Sequence, residues 1–219
     1  MSNIRLKIYR AKRSIYKLIK KHYYRTGSIK KCVICLKTFR KFLPLERGRS
    51  DFTAALKVIG SDLENFNCPY CGVIDRTRHL FLYFEKLNIW KKMANSRILH
   101  IAAEEEISKR IITLDVKQYI RGDLNPKTSN TDKIDITTLK FQNNYFDIII
   151  CNHVLEHVLD YKKAINEIFR VLKKGGFAIV QTPFSKKIKN HFTDPNIKSN
   201  EDRARYYGES DHVRVFGSE

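Results

Sequence analysis

The stretch from Tyr145 to Phe184 constrains this chain more than any other, because it reads as strand, helix, Gly-Gly turn and strand. Phe146 to Cys151 is a continuous apolar run with one acid near its start, the pattern of a strand covered on both faces. An amphipathic helix follows from about Asp160 and is closed by Lys173-Lys174-Gly175-Gly176. Glycine suits the left-handed position past a helix end, and lysine there complements the helix dipole. The order predicts a parallel βαβ unit. Ligands of open α/β sheets collect outside the carboxyl ends of the strands, so Asn152, His153, Glu156 and His157 stand where a cofactor or substrate would bind.

With 219 residues, 42% of them hydrophobic, the chain can bury a core and hold one α/β domain with an appendage. It has no apolar run of membrane-spanning length and no apolar signal core, which makes a cytoplasmic protein the expectation. The formal net charge of +19 is unevenly placed, since no Asp or Glu precedes Glu46. Ile4, Ile8, Ala11, Ile15, Leu18 and Ile19 fall on one stripe of a helix, with Arg5, Arg10, Arg13, Lys17, Lys20 and Lys21 around the rest. That stripe can dock on the protein's own core. Alternatively, the basic helix can bind an anionic membrane surface, at the inner membrane face, or RNA.

Four of the five cysteines form two pairs, Cys32-Val-Ile-Cys35 and Cys68-Pro-Tyr-Cys71. A two-residue gap lets successive thiolates bind one tetrahedral Zn²⁺, and four thiolates leave no open position, so the ion expected here is structural. Disulfides are the weaker alternative in a chain without a secretion signal. Cys151, at the end of an apolar strand, reads as a buried small hydrophobe. Arg76 to Trp90, with Leu80, Phe81, Phe84 and Leu87 at helical spacing, reads as a helix with core aromatics.

FDIIICNHVLEHV followed by RVLKKGGFAIVQTP resembles the fourth strand, helix and fifth strand of the class I, seven-strand S-adenosylmethionine-dependent methyltransferases. The likeness runs from about Arg97 to Pro183, and YGESDHVRVFG resembles a segment after the fifth strand in a small-molecule-type branch of that family. The resemblance implies a Rossmann-like α/β fold, a mostly parallel sheet flanked by helices, and S-adenosylmethionine as cofactor. Arg97 to Ala102 then becomes the first strand and Glu104 to Leu114 its helix. Ala102 and Ala103 stand where the family has glycines beside the methionine part of the cofactor, and His100 stands where it has an acid. Glu104 opens the helix, where an acid complements the dipole and can pair with the cofactor's ammonium group.

The resemblance further implies that Asp123, at the end of the second strand, accepts the ribose hydroxyls; its other reading is an Asp-Leu-Asn-Pro turn. Asp135 and Ile136 would border the adenine, the acid at its amino group and the apolar side chain on its face. Asn152 and His153 would lie near the sulfonium, with His153 as the base for a protonated acceptor or as a hydrogen-bond partner of the cofactor carboxylate. Glu156 and His157 would cap or orient the following helix, and Asp211, His212 and Arg214 would form a substrate-side loop. The strands and hairpin that follow the family's fifth strand are not found before Glu219.

Three modules result: a basic helix over 1–30, a zinc-ribbon-like module over 31–75 and an incomplete methyltransferase-like domain over 76–219. The expected function is methyl transfer to a small molecule, a glycan or a lipid-linked compound. An RNA methyltransferase gripping phosphates through its basic module is a second reading, and a non-catalytic zinc-binding interaction protein with a vestigial methyltransferase fold is a third.

Overall fold

The computed structural model describes residues 22–46 and 48–219. The stripe expected from Ile4 to Ile19 lies outside them. The chain divides into two compact units, the first running to Gly48 and resuming over Ser61–Leu82, the second taking Arg49–Gly60 and Tyr83–Glu219. Residues 49–60, expected within the zinc-ribbon-like module over 31–75, therefore group with the larger unit. No helix among the described residues is long and apolar enough to cross a membrane.

In the first unit two short strands, β1 (Lys30–Lys31) and β2 (Thr38–Phe39), pair antiparallel. Its core is small: Cys32, Phe39, Cys68 and Val73, with Phe42 edge-on to Phe39 at 4.8 Å. Arg78 reinforces it from inside. Its guanidinium lies 4.0 Å from the Phe42 ring centre and donates to the carbonyls of Asn65, Phe66 and Val73. Backbone oxygens that a core of this size would strand are thereby satisfied.

The second unit begins with α1 (Asp51–Ala55). Next come α2 (Asp75–Lys86), which starts in the first unit, and α3 (Ile89–Lys92). The continuous helix expected from Arg76 to Trp90 is thus broken, because Asn88 takes a left-handed φ of 54° and restarts the chain. Leu80 and Phe84 are buried as expected. The sheet consists of β3 (Arg97–Ile101), β4 (Gln118–Asp123), β5 (Asp132–Lys133), β6 (Phe146–Asn152) and β7 (Leu172–Gln181), all parallel in the order β5-β4-β3-β6-β7.

Between them run α4 (Glu105–Ile112) and α5 (Tyr161–Val171), and α6 (Asn200–Tyr207) follows the sheet. Central β3 and β6 are buried along almost their whole length, which is why they read as apolar runs. The acid at the start of β6 also has its reason: Asp147 accepts from Arg97 N–H at 2.8 Å and Lys173 Nζ at 2.6 Å, tying three strands at one end. Ala164, Ile168 and Val171 give α5 its buried face, and Asp160 caps it by accepting from Lys163 N–H at 2.9 Å.

The Lys-Lys-Gly-Gly segment differs from expectation. Helix α5 ends at Val171, Leu172 is already extended, and the glycines lie within a bulged strand whose register jumps from Phe146↔Leu172 to Ile148↔Phe177. Gly175 takes a φ of +83°, and a Cβ on Gly176 would fall 2.7 Å from the Asp147 carbonyl oxygen. These glycines serve a strand pairing rather than a helix end. Beyond β7 the chain adds isolated bridges, Phe184↔Phe216 and Phe192↔Val215, and the sheet has five strands among the described residues.

Candidate functional site

The strand order reverses direction between β3 and β6, so the crevice at their carboxyl ends is the sheet's topological switch point. At the end of β3, Ala102 takes a left-handed φ of 50° and donates its N–H to Gly122 O at 2.8 Å. The sequence comparison expected a glycine here, and the backbone conformation is one that glycine adopts without strain. Alanine preserves the small size and carries the strain.

Glu104 sits at the N-cap of α4, and both of its oxygens are engaged. Oε2 lies 2.8 Å from His100 Nε2 and Oε1 accepts from Asn152 Nδ2 at 2.6 Å. His100 is completely buried, and its Nδ1 is 2.9 Å from the Tyr119 hydroxyl, which is 2.8 Å from Ser108 Oγ. A chain of hydrogen bonds therefore runs Ser108–Tyr119–His100–Glu104–Asn152 from α4 across β4 and β3 to β6. Burial alone would raise the Glu104 carboxyl, but the bonds from His100 and Asn152 outweigh it and hold the group below its usual range. Burial pushes Tyr119 up to about 12. Asn152 ends β6 buried, and its Oδ1 has no hydrogen-bond partner among the described residues.

The other expected cofactor residues are placed as follows. Asp123 ends β4, and one of its oxygens accepts from Asn125 N–H at 2.8 Å, forming the local turn that its sequence context also allowed. Asp135 is exposed and accepts from Thr137 N–H at 2.8 Å and Thr137 Oγ1 at 2.7 Å. These bonds lower its pKa. Ile136 is buried in the sheet core with Leu99, Ile101 and Leu139, so it lines the floor beneath the surface rather than an open face.

His153 directly follows β6 with a left-handed φ of 55°, and its Nδ1 is 3.1 Å from Glu156 Oε1. Glu156 has no exposed surface, and its Oε2 has no partner among the described residues. Helix α5 starts only at Tyr161, so Glu156 and His157 stand in the preceding turns and do not cap it. Arg214 also departs from expectation. It is buried, donating to the carbonyls of Leu155, Val158 and Leu159 at 3.2, 2.6 and 2.7 Å, so it clamps these turns instead of facing a substrate. Cys151 is buried as expected.

Sequence reasoning missed Tyr119 and Ser108. Their signal was a polar group where the local period asks for an apolar one: Ser108 lies on the buried face of α4 between Ile107 and Ile111.

In the first unit the four cysteines come together. Cys32 Sγ lies 3.9 Å from Cys71 Sγ and Cys35 Sγ 3.8 Å from Cys68 Sγ, and all four sulfurs are within 4.8 Å of one another. A tetrahedral ion at the usual metal–sulfur length of ~2.3 Å spaces its sulfurs by about 3.8 Å. The two loops repeat one design. Cys32 N–H bonds Lys37 O and Leu36 N–H bonds Cys32 O; Cys68 N–H bonds Val73 O and Gly72 N–H bonds Cys68 O. Leu36 and Gly72 both take left-handed φ values, 60° and 75°. Burial pushes the Cys71 thiol far up, and Cys32 and Cys35 close by add to the shift. Four thiolates this close would repel one another, so the cluster is of a kind suited to a cation that neutralises them.

Residues 94–180 match the family model described as a methyltransferase domain. An uncharacterized protein of Methanocaldococcus jannaschii is 52% identical over 46 residues, which cover 21% of this chain and 20% of that protein. The match thus spans about a fifth of the curated relative's length. Among solved structures, the YcgJ protein of Bacillus subtilis is 22% identical with a TM-score of 0.44, over 62% of this chain and 63% of that one. An S-adenosylmethionine-dependent methyltransferase of Mesorhizobium loti is 16% identical with a TM-score of 0.37, over 45% and 53% of the two chains. The matched segment, 94–180, holds the parallel strands on both sides of the switch point, and over it the chain is similar to a methyltransferase domain.

Proposed function

We propose that this chain transfers a methyl group from S-adenosylmethionine to a small-molecule, glycan or lipid-linked acceptor. The observation that carries the reading is the pair of acceptors at the switch point: the Glu104 carboxylate and the buried Asn152 Oδ1, which has no donor among the described residues. An unsatisfied buried acceptor costs about 1–3 kcal/mol, and an ammonium group in the crevice would satisfy it. The residues present therefore fit the cofactor's amino-acid end.

Ala102 would let the backbone pass close to that end. Asp123 has one carboxylate oxygen beyond its turn bond to offer the ribose hydroxyls, and Asp135 would meet the adenine amino group at the rim above Ile136. When bound, S-adenosylmethionine supplies a methyl carbon activated by its sulfonium. His153 would take the acceptor's proton on Nε2, since Nδ1 is held by Glu156, and that contact fixes the imidazole's orientation. A base held this way contributes through placement as much as through proton affinity.

The cysteine cluster would hold a structural Zn²⁺ through Cys32, Cys35, Cys68 and Cys71. That ion would supply much of the folding free energy of a unit whose own core is so small.

Calorimetric titration of the zinc-loaded chain with S-adenosylhomocysteine, the demethylated product, tests the cofactor assignment. Saturable, roughly stoichiometric binding is expected. Absence of binding by a protein that still folds would refute it and favour the interaction-only reading.

A further inference from the structure

A second group of ligand-type side chains lies next to the proposed base. Glu156, His157 and His212 bring one ligand atom each to within 4.8 Å of one another. The two imidazoles meet edge to face with ring centres 4.7 Å apart. The segments that carry them are locked together, because Val213 N–H donates to Glu156 O at 2.9 Å and Arg214 clamps the carbonyls on either side of His157.

Two further observations separate this cluster from a chance grouping of polar residues. Glu156 is fully buried, and one of its carboxylate oxygens has no hydrogen-bond partner among the described residues. A buried carboxylate oxygen without a donor calls for a cation or a proton. The imidazoles are also arranged from behind: His157 Nδ1 is 3.3 Å from the Asp211 carboxylate, and His212 Nδ1 donates to Tyr207 O at 3.1 Å. The bond to the Tyr207 carbonyl keeps the His212 hydrogen on Nδ1 and leaves the lone pair on Nε2, and the nearby Asp211 carboxylate favours the same tautomer at His157. Outer partners of this kind, a carboxylate and a backbone carbonyl, are the usual supports of metal-binding histidines.

We propose that Glu156, His157 and His212 form a binding site for a divalent first-row transition ion of the Zn²⁺ type, separate from the cysteine cluster. Two imidazoles and one carboxylate suit such an ion better than Mg²⁺ or Ca²⁺, which take oxygen ligands. Three protein donors leave positions open, unlike the closed set of four thiolates. The oxygens of Glu156 divide the work, one holding His153 and the other the ion. The site stands independently of methyl transfer, since its ligands need no cofactor to come together.

Equilibrium dialysis of the full chain against buffered Zn²⁺ tests it, comparing the wild type with His157→Gln and His212→Gln. Each variant should retain about one ion fewer per chain than the wild type. The cysteine cluster is common to all three, so its own occupancy cancels in the difference. His157 is the safer of the two to change, because its side chain is 35% exposed, and Trp90 fluorescence checks that the second unit is folded. Equal zinc content in the wild type and a folded His157→Gln protein would overturn the proposal.

Discussion

Glu104 is the most informative single position to perturb, because it closes a buried polar chain from one side of the sheet to the other. Its side chain is only 16% exposed and receives two short bonds, from His100 at 2.8 Å and Asn152 at 2.6 Å. Glu104→Ala leaves both partners buried without an acceptor. At about 1–3 kcal/mol for each stranded group, and with His100 fully enclosed, the loss should be about 3–5 kcal/mol. Glu104→Gln behaves differently. Its amide oxygen can still accept from Asn152, and its NH₂ can donate to His100 Nε2 if the imidazole moves its proton to Nδ1 and donates to Tyr119. The cost should then be about 1–2 kcal/mol, the charge-assisted part of the two bonds.

The pH dependence carries a definite sign. The folded carboxyl is depressed, so its contribution is fully present above the unfolded value of about 4.3 and is lost as pH falls through the folded value. Glu104→Gln should remove that part of the acid destabilisation. The assay is urea unfolding followed by the fluorescence of Trp90, the chain's one tryptophan, which is nearly buried and edge-on to Phe84 within the second unit. If the Ala and Gln variants unfold at the same urea concentration at neutral pH, the hydrogen-bond chain contributes nothing specific and the reasoning fails.

Two other predictions concern conformation and the cofactor. Leu36→Gly relieves a left-handed side chain that is 64% exposed, and should stabilise the cysteine unit by about 1 kcal/mol, seen as slower zinc loss to a chelator. Faster loss would show that Leu36 packs in a way its exposure conceals. Asp123→Ala should weaken S-adenosylhomocysteine binding about tenfold, the worth of one or two hydrogen bonds to a charged group, with the Trp90 unfolding curve nearly unchanged. Unaltered affinity would reduce Asp123 to its turn with Asn125.

Much of the sheet is legible in the sequence because β3 and β6 are central strands, and burial on both faces leaves runs such as Phe146 to Cys151 with little polar interruption. The helix stop expected at Gly175-Gly176 is a strand bulge instead, for a physical reason. A helix end and a strand bulge both select glycine, and only the approach of Gly176 to the Asp147 carbonyl, a contact between neighbouring strands, tells them apart. The break at Asn88 is equally silent, since asparagine enters the left-handed region without a glycine to announce it.

At the site, position was readable and partnership was not. Asn152 and Glu104 could be placed at strand and helix ends by counting along the chain. That they bond to each other depends on the pairing of β3 with β6, and the role of Tyr119 depends on its strand lying on the opposite side of β3. The cysteines were the simplest case, because the two-residue gap within each pair already sets the local loop.

The interleaving of the two units bears on how the chain reaches its native state. Residues 49–60 belong to the sheet-bearing unit, yet they are synthesised before the second cysteine pair. Their anchors come far later: Ile59 bridges Phe184, and Ser185 donates its hydroxyl to Leu56 O across a sequence separation of 129. Closing a loop of that length costs about 4 kcal/mol of chain entropy. The early segment must therefore wait until β7 has been assembled. No single cut of the chain yields both units whole, and a fragment beginning at Tyr83 would lack Ile59, one of the two bridge partners of Phe184. On the ribosome, the cysteine unit can close once its second segment, Ser61–Leu82, has emerged, while residues 49–60 stay undocked until Phe184 and Ser185 have been made.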